Sequence, residues 1–122
     1  IDAPIYQNSR NSVIDSKGKD SVSHFHPIKN FLMDDESASL VEVVIETGRT
    51  HQIRVHAKHA GHPVAQDDKY GDNSFDQLMQ TKGLSRLFLH AKSIVFTNPS
   101  TNEIQKVTAP LPNDLEEFLN KL

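Results

Sequence analysis

The spacing of apolar residues changes several times along the chain, and each change marks an element. From Ser39 to Glu46, Leu40, Val41, Val43, Val44 and Ile45 form a nearly continuous apolar run, which predicts a strand covered on both faces. Ser12 to Ser16 predicts a shorter strand turning at Lys17-Gly18-Lys19, and Val22, His24, His26 and Ile28 alternate towards Phe31-Leu32-Met33. Those two runs together predict a hairpin, with Asp34-Asp35-Glu36-Ser37 as an acidic turn before the next strand. Alternation returns from Leu87 to Thr97, and Asn98-Pro99-Ser100-Thr101-Asn102 turns the chain towards a partner over Ile104 to Ala109. Ile1 to Arg10 carries little periodicity and predicts nothing firm.

Helical spacing appears in three places. Thr50 is a suitable N-cap and Gly61 a suitable left-handed stop for a helix from about His51 to Ala60. At 100° per residue it places Ile53, His56, Ala57 and Ala60 on a packing arc, with His51, Arg54 and Lys58 together on another. Asn73 or Ser74 can cap a second helix carrying Phe75, Leu78 and Met79 and ended by Gly83. A third begins near Pro112 and aligns Leu115, Phe118, Leu119 and Leu122. The resulting fold class is α+β, a mainly antiparallel (mixed) sheet with two or three short helices.

A length of 122 residues fits one domain that buries roughly 65% of the surface exposed by its unfolded chain. The absence of cysteine excludes a disulfide, a thiolate zinc site and a cysteine nucleophile; it is compatible with a reducing cytoplasm, the expected location. No apolar run approaches the roughly 20 residues of a membrane span, so a soluble chain without a membrane partner is expected. The chain opens at Ile1 rather than at a methionine, and residues 1–122 are expected to be a partial domain of something longer.

Charge changes the picture at one stretch. The formal net charge is -3, yet Gly48 to Gly61 holds Arg49, Arg54, Lys58, His51, His56 and His59 and no carboxylate. Set beside the positive end of a helix dipole, this stripe is built to meet an anion. Arginine suits a two-pronged contact with carboxylate or phosphate alike. Seven histidines raise the question of metal, but His56, His59 and His62 do not project to one side of a helix and no His-Glu-x-x-His spacing occurs, so no metal site is expected. His56 and His90 read as packed histidines with hydrogen-bonded rings. Asp67 and Asp68, adjacent in a turn, tend to point apart, which favours structural use over an acid-base pair. No Gly-x-Ser-x-Gly, phosphate-binding or dinucleotide glycine pattern is present.

Three ordered blocks then carry a resemblance: Thr47-Gly48-Arg49-Thr50-His51-Gln52-Ile53-Arg54-Val55-His56; Gly61-His62-Pro63 with Asp67 to Tyr70-Gly71; and Arg86-Leu87-Phe88-Leu89-His90-Ala91. They resemble the C-terminal motifs of RluA/RluC-type pseudouridine synthases of large-subunit ribosomal RNA, with paired aspartates as in the RluC subgroup. Gln66 departs from the glycine common in the wider family, which bears on the local loop geometry. The resemblance implies isomerisation of uridine to pseudouridine with no metal or organic cofactor. The base is flipped into a pocket, its glycosidic bond broken with help from an aspartate, and the uracil rejoined through C5. It implies that Arg54 forms an ion pair holding that aspartate ionised, that Leu89 lines the pocket beneath the uracil, and that Arg49, His51 and Lys58 contact the RNA backbone.

The aspartate and active-site tyrosine segments of that family lie upstream of all these motifs. The 122 residues contain neither, so the chain alone is expected to be inactive and to need the missing N-terminal half of the same protein besides ribosomal RNA. Loss of that half is expected to leave exposed edges through which a non-native oligomer can form. The competing reading is a non-catalytic RNA-binding module using the basic stripe 49–58.

Overall fold

A computed structural model describes residues 1–8, 10–33 and 36–122. Three helices and six strands follow in the order β1 (Ile5–Asn8), β2 (Asn11–Ile14), β3 (Ser23–Met33), β4 (Glu36–Ile45), α1 (Gln52–His59), α2 (Asn73–Thr81), β5 (Ser93–Thr97), β6 (Ile104–Thr108) and α3 (Asn113–Asn120). The fold is α+β, and every described ladder is antiparallel: β1 with β2, β3 with β4, β5 with β6.

The partners differ from the alternation-based expectation at one end. β2 pairs with β1, Ile5 opposite Ile14 and Asn8 opposite Asn11, and not with β3. A period of two dictates which face a side chain takes but not which neighbour supplies the hydrogen bonds. β3 instead runs its whole length beside β4, from Ser23 opposite Ile45 to Met33 opposite Glu36. Pro27, which has no N–H to donate, coincides with a register shift before Lys29. The acidic turn expected at Asp34-Asp35 lies outside the described residues, and Glu36 and Ser37 already belong to β4.

β4 is not covered on both faces: the consecutive residues Val44 and Ile45, which point to opposite faces of the ladder, are both exposed. β5 is also shorter than the alternation predicts. Residues 87–92 carry no ladder, since β6 supplies partners only for Ser93 to Thr97, and the Leu89 N–H turns back to the carbonyl of Leu87. In that stretch Phe88 donates its N–H to Ala65 and stacks at a tilt on Phe118, 6.1 Å between centroids.

Two apolar clusters hold the described residues together. The larger joins Met33, Met79, Leu84, Leu115 and Phe118, with Phe75, Leu78, Leu111 and Leu122 packed around it. The helical spacings of α2 and α3 are what point those side chains inward. Asp72 caps α2, its carboxylate accepting from the N–H of Phe75, one residue earlier than expected. The smaller cluster is Ile5, Val55 and Tyr70, with Ile14 against it, and it forms the floor beneath the basic segment.

Candidate active site

α1 begins at Gln52, not His51, and its cap is backbone rather than side chain. His51 takes a left-handed conformation (φ 55°), while the Thr50 hydroxyl donates to Gln7 Oε1 instead of capping. At the other end Gly61, with φ 83°, donates to the carbonyl of Lys58, and His62 donates to that of Ala57. This paired closure needs a left-handed residue and explains the glycine.

The buried face of α1 is Gln52, Val55, His56 and Ala57, shifted from the predicted arc. Gln52 is only 3% exposed, and both ends of its amide are used. Oε1 accepts from the Thr47 hydroxyl and the Arg49 N–H, and Nε2 donates to the Val22 carbonyl and to Ser23 Oγ. His56 is fully buried. Its Nε2 stands 2.9 Å from the Ala3 carbonyl, which can only accept, so Nε2 carries the hydrogen and Nδ1 receives that of Ser23 Oγ at 2.8 Å. These bonds lock the helix to β3 and to the segment before β1, which fixes the direction in which the neighbouring side chain, Arg54, projects.

Arg54 forks onto Asp67. Nε donates to Oδ2 at 2.8 Å and Nη2 to Oδ1 at 2.7 Å, with Asp68 at 3.7 Å from Nη2. The arginine side chain is 15% exposed and that of Asp67 not at all. Oδ1 of Asp67 also accepts from the backbone N–H groups of Lys69 and Tyr70. Burial pushes the Asp67 carboxyl up, and the bonds from Arg54, Tyr70 and Lys69 outweigh it, leaving the group below the usual carboxylate range. The bond to Asp67 raises Arg54 further. The Tyr70 ring lies under the guanidinium, 5.2 Å from Cζ, and its hydroxyl meets the Ser12 N–H and His51 Nδ1. Burial, then the charges of Arg54 and Lys69, depress the His51 pKa, Asp67 opposing them.

The loop carrying Asp67 is held from below. Gln66 sits at φ 60°, its N–H donating to Asp76 Oδ1 and its amide to the carbonyls of Asp76 and Leu84. Burial raises the Asp76 pKa, the Gln66 N–H opposing it. Gly71 donates to the Asp67 carbonyl oxygen, and a Cβ there would stand 2.2 Å from that same oxygen.

The members of the basic stripe meet different partners. Arg54 forks onto Asp67, Arg49 Nε donates to the Asp20 carbonyl, and His51 is tied to Tyr70. Lys58 faces an open groove of about 610 Å³ whose walls include Asn11, Ser12, Val55, Lys69 and Tyr70. Leu89 is half-buried and lines neither that groove nor the smaller one beside α2. Among the described residues no three His, Asp or Glu side chains gather as a cation site, and no helix is long and apolar enough to cross a membrane. Sequence reasoning gave Tyr70 and Gln52 no role beyond their places in the motif blocks, and weighed Asp67 with Asp68 as an acid-base pair before favouring structural use in a turn. One signal was available for Gln52: it lies three and four residues before Val55 and His56, hence on their face.

A family model described as RNA pseudouridylate synthase matches residues 1–59. The ribosomal large subunit pseudouridine synthase C of Vibrio vulnificus (strain CMCP6) is 43% identical over 124 residues, covering 100% of this chain and 38% of the relative. That of Yersinia pestis is 47% identical over 124 residues, covering 98% and 38%. The chain thus spans 38% of the length of these curated relatives. A solved structure, Human RNA Pseudouridylate Synthase Domain Containing 1, superposes with a TM-score of 0.74 at 30% identity, covering 97% of this chain and 51% of that one. In sequence the chain matches the C-terminal part of RluC-type large-subunit ribosomal RNA pseudouridine synthases, and in fold an RNA pseudouridylate synthase domain.

Proposed function

We propose that residues 1–122 are one partial domain of an enzyme that converts uridine to pseudouridine in large-subunit (23S) ribosomal RNA. In this reading the remainder of the enzyme supplies the reacting aspartate and Arg54 holds it ionised. The observation that carries the reading is the Arg54 guanidinium: mostly buried, fixed along one edge by Asp67, and with no bond to Nη1 among the described residues. A cation so placed lowers the pKa of a carboxylate brought against its open edge. That keeps the carboxylate anionic for attack or proton removal while the glycosidic bond breaks.

Leu89 is assigned to the wall beneath the uracil. Lys58 is assigned, with Lys69 across the groove, to the RNA backbone, and Arg49 and His51 to further backbone contacts. The rest of the enzyme is also the natural cover for the apolar side chains left bare on the paired strands, among them Ile94, Val95, Ile104 and Val107. A two-stranded ladder with apolar residues in water is marginal alone, so association between copies of the isolated chain is expected.

In the whole enzyme, Arg54→Ala should abolish pseudouridine formation while RNA affinity falls by less than about threefold, since its partners are carboxylates and not phosphate. Equal loss of both would overturn the assignment. The isolated chain should form no pseudouridine on ribosomal RNA transcript, and a clear signal from it would overturn the missing-aspartate reading.

A further inference from the structure

Asp67 occupies an unusual position for a carboxylate next to a proposed catalytic cation. Its side chain is fully buried and it receives four donors: Arg54 Nε and Nη2, and the N–H groups of Lys69 and Tyr70. Three of these donors converge on Oδ1 and only Arg54 Nε reaches Oδ2, but with the side chain wholly buried neither oxygen meets water through which to exchange a proton. It cannot be the acid or base. What it does control is direction. The fork consumes one edge of the guanidinium, and the face rests on Tyr70, itself 7% exposed and pinned through its hydroxyl by Ser12 and His51. Of the three guanidinium nitrogens only Nη1 is left without a bond among the described residues. Asp68, 93% exposed and 3.7 Å from Nη2, is too loosely placed to share this task.

We infer that Asp67 is a positioning residue: by forking onto Nε and Nη2 of Arg54, with Tyr70 as the platform, it makes the Nη1 edge the one that a reacting carboxylate meets. The inference rests on the synthase reading of Arg54 and deepens it. A positioning role predicts an effect on turnover that exists only while Arg54 is there to be positioned.

The test uses the whole enzyme and two readouts. In a double-mutant cycle, Asp67→Asn should lower kcat by about 10- to 100-fold with KM for RNA changed less than about threefold, and should have almost no further effect on kcat in an Arg54→Lys background. The same fold-loss in both backgrounds, or no loss in either, overturns the inference. Should D67N fold poorly, chemical rescue replaces it. Methylguanidinium should restore turnover to R54A at least about tenfold and fail to do so in R54A/D67N, where no buried carboxylate is left to hold it. Equal rescue of the two overturns the inference. If R54A keeps wild-type turnover, the synthase reading of Arg54 fails, whatever Asp67 does.

Discussion

The hydroxyl of Tyr70 lies 2.9 Å from Nδ1 of His51 and 3.0 Å from the backbone nitrogen of Ser12. The Ser12 N–H can only donate, so the phenol accepts from Ser12, and its single hydrogen is free to go to Nδ1 of the neutral ring. The imidazole hydrogen then sits on Nε2. This wiring suits the uncharged ring, in keeping with the downward shift that burial and the charges of Arg54 and Lys69 impose on His51. The residue read from sequence as part of a cationic stripe is therefore held as a neutral donor.

The first prediction concerns that shift. In an NMR titration His51 should titrate below the ordinary value of about 6.5, and Tyr70→Phe should move it upwards by removing a bond to the neutral form. With the folded pKa below the unfolded one, the stability His51 contributes is complete above about pH 6.5 and is lost as pH falls towards the folded pKa. Asn tolerates the left-handed backbone at this position, so His51→Asn should flatten that limb of the stability curve. An unchanged limb in H51N would show that another group sets it.

A second prediction follows from the burial of Asp67. Arg54→Met strands a carboxylate in the interior and should cost about 3–5 kcal/mol in urea unfolding at neutral pH. Adding Asp67→Asn removes the stranded charge while keeping an oxygen for the Lys69 and Tyr70 N–H groups, so the double variant should be more stable than R54M alone. The folded pKa of Asp67 is depressed. Its contribution in the wild type is therefore present above about pH 3.9 and lost as pH falls through the folded value. The cost of R54M should shrink as pH falls, first through the raised pKa of the stranded carboxylate and then over that same acid range. Additive losses, or a cost independent of pH, would show that the ion pair is not what stabilises the loop.

What could be read from the sequence was what one segment dictates by itself. The α1 stop at Gly61, the inward faces of α2 and α3, and the β5–β6 turn each follow from spacing and turn chemistry within a dozen residues. Pairing choices did not: the Ser12 strand has the right period for β3 but is taken by β1, whose own sequence carries little pattern. The site was half legible. Arg54 stood out by its charge and motif, whereas its partner Asp67 is 13 residues away in sequence. The adjacent aspartates do not point apart as expected: both carboxylates approach Nη2 of Arg54, at 2.7 and 3.7 Å, and only the loop geometry decides that Asp67 is buried while Asp68 stays in water.

That loop geometry depends on Gln66, which occupies a left-handed conformation where glycine is least strained. Strain there is of order 1–2 kcal/mol, against two bonds from its amide, to Asp76 and Leu84, of about 1 kcal/mol each. Gln66→Ala keeps the strain and loses the bonds; Gln66→Gly loses both. The glycine variant should accordingly unfold at higher urea than the alanine variant, the reverse of the usual order at ordinary backbone angles. The usual order, alanine above glycine, would mean that the left-handed backbone is not retained.

The most demanding prediction concerns Gln52, whose amide joins β3 to the start of α1. Its Nε2 faces two oxygens, the Val22 carbonyl and Ser23 Oγ. Gln52→Glu preserves shape and the acceptor side, where Thr47 and Arg49 still donate, but turns the donor side into an oxygen facing a carbonyl. At neutral pH this buries a charge against a carbonyl dipole and should cost about 3 kcal/mol or more. Protonation restores one donor, an O–H able to reach the Val22 carbonyl. The introduced carboxyl should therefore have a folded pKa above the roughly 4.3 of an unfolded glutamate. A group raised in the folded state gives its full contribution below the unfolded pKa and loses it as pH rises through the folded one. The deficit of Q52E relative to wild type, measured by urea unfolding at matched pH, should thus narrow as pH is lowered from neutral towards that glutamate value. A constant deficit across the range would mean that position 52 contributes shape alone and that its amide does not hold the helix to the sheet.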